Sequence, residues 1–249
     1  MRWTQGQREK ETHLAWPMTA RGCQEEPVKL YYSPLACSLA SRIALYEAEA
    51  DATFVEVDPL TKTTSDGADF RTINPLGLVP TIVMDDGTTL TENAAILQYI
   101  AERFPNASLA PQDPVGRARL HQWLSFIGTE LHKALFVPLL TPSAPDGAKT
   151  FALSKAQSRL SWVGTMLEGR EYVLGAFSVA DAYLFAVLNW STVTSVDLKP
   201  WPRITSYQAR LLARSTVARA FAEERKLFAS EQARHAKANA HVRPALPPT

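Results

Sequence analysis

Apolar positions along the chain fall into two regimes. VKLYYS at 28–33 is a β-branched and aromatic run stopped by Pro34, and the following ACSLASRIALYEA places Leu39, Ile43 and Tyr46 at helical spacing, so a strand and then a helix are predicted. ATFVEVD at 52–58 alternates as a strand does, and residues 59–74 are mostly polar with one short helical turn expected near 68–72. PTIVMDDGTTL gives two short apolar runs joined by Asp85, Asp86 and Gly87, residues that tolerate the positive φ of a hairpin turn. TENAAILQYIAERF at 91–104 is helical and ends at Pro105. Strand, helix, strand, short helix, hairpin, helix is an α/β unit with a mixed sheet.

After Pro114 the period changes. Leu120, Leu124, Ile127, Leu131 and Leu135 form one stripe over 115–137, and 151–168, 178–194 and 203–228 are further helical segments without a strand between them. The expected fold is α/β plus all-α: a sheet domain at 27–106, a linker at 107–114 in a proline-rich stretch, and an all-helical domain at 115–230. Residues 1–26 and 231–249 lack a buried face and are expected to be a flexible leader and a flexible tail, with Met18 an alternative start.

The formal net charge of +1 excludes recruitment of nucleic acid or anionic membrane by a whole-molecule field, so an anionic ligand needs a local site. Two cysteines, Cys23 and Cys37, do not make a secreted disulfide scaffold. The amino-terminal stretch has no apolar central run, and the most apolar segment, VADAYLFAVLNW, contains Asp181 and is shorter than the roughly 20 residues a bilayer requires. A cytoplasmic protein with neither nucleic acid nor membrane among its partners is expected.

Cys37 lies where the first strand gives way to the first helix, over unpaired N–H groups and the positive end of the helix dipole, which favour thiolate over thiol. A small buried structural cysteine is the alternative. In NPLGLVP, at 74–80, a cis bond before Pro80 would turn the Val79 backbone toward an extended peptide ligand, although a plain turn also fits. Thr91, Glu92 and Asn93 open a helix, with Glu92 placed to receive an amino group and Asn93 to act as donor and cap. Gln122, Ser125, Thr129 and His132 form a polar stripe that a solvated face explains equally well. Lys133 adjoins it, and His132 is a candidate donor to a nearby thiolate. Ser178 and Asp181 read as a capping box, a folding signal rather than a site.

YYSPLACSLASRIAL, NPLGLVP, DDGTTLTENAAILQYIA, WLSFIGTELHK and FSVADAYLFAVLNW, in this order and spacing, resemble a bacterial beta-class cytosolic glutathione transferase from about residue 28 to 228. The resemblance implies a thioredoxin-like amino-terminal domain, an all-helical second domain, a homodimer, and glutathione as co-substrate without a metal. It gives the catalytic role to Cys37, Ser38 and His132. Lys62 would meet the glutathione carboxylate, Val79 its cysteinyl backbone, and Glu92 with Asn93 its γ-glutamyl end. Ser125, Thr129, His132 and Lys133 would complete the site, and Trp190 would lie against the second substrate, an electrophile or disulfide. The family usually has Ser or Gly at Asn93, Asn at Ser125 and Gln at Leu78, departures expected to weaken glutathione binding by about 1 kcal/mol per lost bond. A non-catalytic stress or regulatory protein of the same fold is the rival reading.

Overall fold

A computed structural model describes residues 27–84 and 86–242, and side chains as far as 238. The leader, Cys23 and Asp85 lie outside the described residues. The first half runs β1 (Val28–Tyr32), α1 (Leu39–Glu47), β2 (Ala52–Glu56), β3 (Thr81–Val83), β4 (Thr89–Leu90) and α2 (Asn93–Arg103), with 3-10 turns at Phe70–Thr72 and Pro105–Ala107. The sheet order is β2-β1-β3-β4, with β1 parallel to β2 and antiparallel to β3, and β3 antiparallel to β4. Leu30 stands opposite both Phe54 and Ile82. Alternation along β1 explains why both faces are covered. Val28, Leu30 and Tyr32 join the main core, and Tyr31 packs with Val57 and Phe70 on the other side.

The second half is helical: α3 (Pro114–Phe126), continued by Ile127–Phe136 and α4 (Val137–Leu140), then α5 (Asp146–Met166), α6 (Val179–Asn189), α7 (Pro202–Leu212) and α8 (Ser215–Val242). The architecture is a thioredoxin-like sheet domain with a helical carboxyl-terminal region, and α1 packs on both α6 and α8. That position buries α1 almost all round, Arg42 included.

Four expectations change. Regular helix begins at Leu39 rather than at 36, because Leu35 takes φ 58° and the chain turns before it coils. The segment 203–228 is two helices, broken at 213 and 214, where Arg214 turns aside to pair with Glu47. From residue 231 the chain continues as helix to Val242. Its Ala and Lys content favours helix, and its periodicity lies in the polar Glu231, Arg234 and His235, which an apolar pattern misses. Ile127–Phe136 is a wide helical stretch, the Val137 N–H reaching back to the His132 carbonyl; such widenings cluster at functional sites.

The Ser178–Asp181 capping box is present, with the Ser178 side chain toward the Asp181 backbone and the Asp181 carboxylate on the Ser178 N–H, and Asp181 carries more than the box. Ser178 Oγ donates to the Asp181 carboxylate, which also accepts the N–H groups of Ser178 and Val173 and the Tyr207 hydroxyl, at 2.7–2.9 Å. Asp181 is fully buried, so its removal leaves several donors without an acceptor in apolar surroundings. Asp181→Ala is expected to cost about 3 kcal/mol or more of stability, read by chemical denaturation; a loss under about 1 kcal/mol would show that the hub is dispensable.

Candidate functional site

Between the two halves lies a cleft of about 260 Å³, its walls supplied by loop 74–80, the start of α2, and the α3 helix with its wide continuation. Of the residues singled out in the sequence, Cys37, Val79, Glu92, Asn93, Ser125, Thr129, His132 and Lys133 line it together. Among the described residues, Ser38, Lys62 and Trp190 do not.

Cys37 sits in the turn before α1 and lines this cleft, nearly buried, its thiol donating to the Val79 carbonyl at 3.5 Å. The Val79–Pro80 bond is cis, as the sequence suggested. The expected thiolate is not what the surroundings of Cys37 favour. Burial pushes the Cys37 thiol up to about 12, outweighing the Lys133 charge and the N–H groups of Cys37 and Ser38 that pull it down. Desolvation of a full charge exceeds what a few dipoles and one exposed cation return.

Ser38 is fully buried, its hydroxyl donating to the Ser33 carbonyl at 3.1 Å and accepting the Ser33 N–H at 3.3 Å. Its side chain braces the cysteine turn and does not reach the cleft. Asn93 is neither a cap nor a free donor: its amide donates to the Cys37 carbonyl at 3.1 Å and accepts from Ser41 Oγ at 2.9 Å, tying α2 to the cysteine turn and to α1. What the start of α2 offers the cleft is its backbone end and Glu92, exposed and held at φ 65°. Trp190 is buried behind His132, 4.9 Å between ring centroids, with its Nε1–H on the Leu35 carbonyl at 2.9 Å. It packs against the imidazole and does not line the cleft.

His132 lies on the wide stretch, its Nδ1 2.8 Å from the Tyr183 hydroxyl. Burial, with a further contribution from Lys133, lowers its pKa to about 4, so the ring is neutral near pH 7. Burial drives the Tyr183 hydroxyl far above its ordinary value, against a hydrogen-bond contribution from Asn93. A protonated phenol beside a neutral ring donates to Nδ1, leaving the imidazole proton on Nε2. Sequence reading passed over Tyr183 as one more member of an apolar helix. Its signal was the phenol itself, since a buried tyrosine hydroxyl seeks a partner.

A thioredoxin-like sheet that presents a cysteine at the start of its first helix, in a cleft closed by a helical second half, defines a protein of thiol chemistry. The comparisons make the class specific. Residues 36–103 match the amino-terminal domain of glutathione S-transferases. The chain is 39% identical over 199 residues to glutathione S-transferase GstA of Escherichia coli O157:H7, covering 79% of this chain and 98% of that one. Among solved structures it resembles a sphingomonad glutathione S-transferase complexed with glutathione (TM-score 0.75, 44% identity) and the beta-class enzyme of Sphingomonas chungbukensis (TM-score 0.75, 45% identity), each over 79% of this chain and 98% of the other. This chain belongs to the glutathione S-transferase family.

Two outcomes follow from the site. Alkylation of Cys37 by iodoacetamide is expected to be slow at pH 7 and to climb through pH 9 without a plateau; a plateau below pH 8 would show a thiolate. For His132 the folded value lies below the ordinary 6.5, so stability present above pH 6.5 is lost as the pH falls from there through about 4. His132→Gln should flatten that slope in denaturation curves taken across the window, and an unchanged slope would place the linkage elsewhere.

Proposed function

We propose that the chain is a glutathione transferase that binds glutathione in this cleft and activates its thiol for attack on an electrophile. Residues 27–106 form the glutathione-binding domain, 107–114 the linker and 115–230 the helical domain, and the protein acts as a homodimer. The tripeptide lies extended along Val79, its γ-glutamyl end at Glu92 and the start of α2, its far carboxylate toward Lys62, with Ser125, Thr129 and Lys133 completing the walls. The observation that carries this reading is the convergence of Cys37, His132, Val79, Glu92 and Lys133 on one cleft.

The neutral state of Cys37 fits this role. Two sulfur anions side by side in a buried site repel, whereas a Cys37 S–H and a His132 Nε2–H both donate to a glutathione thiolate and lower its pKa. The bond formed is from glutathione sulfur to the electrophilic carbon; the thiol proton passes to solvent and the leaving group departs with its electron pair. With a glutathione-containing disulfide as substrate, the Cys37 thiolate can attack the glutathione sulfur to form a mixed disulfide, the other sulfur leaving with the electron pair and a proton as a free thiol.

Cys37→Ala is expected to lower the conjugation rate by about tenfold, the worth of one donor to a developing anion, and to abolish mixed-disulfide formation. Mass spectrometry after incubation with oxidised glutathione should find one dithiothreitol-reversible adduct on Cys37 and none on Cys23. Full retention of both activities in the variant, or modification of Cys23 alone, would count against the assignment.

A further inference from the structure

The last turns of α8 leave the helical half and pack against the end of β2 and the loop that follows it. Arg234 pairs with Glu56, and His235 Nε2 lies 2.7 Å from Asp58 Oδ2, both side chains of the latter pair more than four-fifths buried. Glu231, one turn earlier, is buried as well. Asp58 organises the loop. While Oδ2 faces His235, Oδ1 accepts the N–H groups of Leu60 and Thr61 at 2.8 and 3.0 Å. The Asp58 carbonyl accepts the Lys62 N–H at 2.9 Å, and its own N–H goes to the Thr63 carbonyl at the same distance.

These bonds meet on a residue in a costly conformation. Lys62 stands at φ 60°, a left-handed geometry that a side-chain-bearing residue keeps only where its neighbours over-determine it. There its stem crosses Gly77: a Cβ at that position would come within 3.3 Å of Lys62 Cδ. Gly77 lies between Leu76 and Leu78, which line the cleft. The carboxylate of Asp58 thus shares its two oxygens between the loop and α8. Without His235 it is free to rotate toward water and release the turn.

We infer that His235 is a positioning residue for glutathione: through Asp58 it fixes loop 58–63 and holds Lys62 beside the cleft, so the end of α8 sets affinity for the tripeptide without touching it. The inference rests on the reading of Lys62 as partner of the ligand carboxylate, and the test separates the two. Full-length variants are compared by calorimetric titration with glutathione and by conjugation of 1-chloro-2,4-dinitrobenzene. His235→Ala should raise the glutathione Kd about fivefold, the size of one modest hydrogen bond, while kcat at saturating glutathione and KM for the electrophile stay within about twofold. His235→Gln, which keeps a donor, should recover most of the loss. Lys62→Ala should weaken binding in the same sense, and combining it with His235→Ala should add little. Parental glutathione affinity in His235→Ala beside a weakened Lys62→Ala overturns the positioning role and leaves Lys62 standing. Parental affinity in Lys62→Ala overturns the Lys62 reading and the inference with it. Equal losses of kcat, affinity and melting temperature in His235→Ala, unrecovered by Gln, reduce His235 to a structural strut and overturn it too.

Discussion

The geometry of the site depends on how the helical half grips the backbone of one residue of the sheet half. Leu35, at φ 58°, has its N–H on Glu224 Oε2 at 2.8 Å and its carbonyl on the Trp190 indole at 2.9 Å. Glu224 Oε1 meets Arg42 Nε at 2.9 Å, and Arg42 is sandwiched between the rings of Tyr32 and Phe54. Burial pushes Glu224 up to about 7 even against the pull of Arg42 and the Leu35 N–H, but with both oxygens accepting N–H groups the carboxylate is the form this geometry fits. A buried ion pair adds little net stability over a well-packed apolar contact. What it adds here is registry, because only one placement of α8 satisfies both α1 and the cysteine turn. Ser38 and Asn93 hold the same turn from the sheet side, so Cys37 is fixed by three elements before any ligand arrives.

That fixed turn determines the electrostatics of the cleft. The Cys37 thiol and the His132 ring are neutral near pH 7, while Lys133 and the N–H groups of the turn bring positive potential. A cleft whose thiol and imidazole stay neutral donors beside Lys133, with the Glu92 carboxylate set apart at the start of α2, is prepared for a thiolate that is brought in. Tyr183 and Trp190 serve this preparation indirectly, one fixing the ring's proton on Nε2 and the other fixing the ring's position.

The fold was legible because its signals are local and redundant. Pro34, the Asp-Gly hairpin, Pro105 and the leucine stripe each punctuate the chain where the structure turns. The residues of the cleft were legible as types, but their roles were not all so. Ser38 and Asn93 carry polar groups near Cys37, and a sequence does not show that those groups are spent on backbone bracing. The anionic state expected of Cys37 failed for a related reason: helix position can be read from a pattern, whereas desolvation depends on what the other half of the molecule lays over the sulfur. The end of α8 was missed because its ordered face is polar, and hydrophobic periodicity is blind to a helix held by ion pairs.

The elevated Cys37 pKa also bears on which reaction the cleft favours. Exchange through Cys37 as attacking nucleophile needs its thiolate, the form that burial disfavours near pH 7. Conjugation needs the thiolate of glutathione instead, and for that anion a protonated Cys37 is an asset. The two chemistries therefore make opposite demands on one sulfur, and burial decides between them. On the proposed reading, a cleft that keeps Cys37 neutral favours attack by glutathione over exchange through Cys37, and exchange gains as the pH rises.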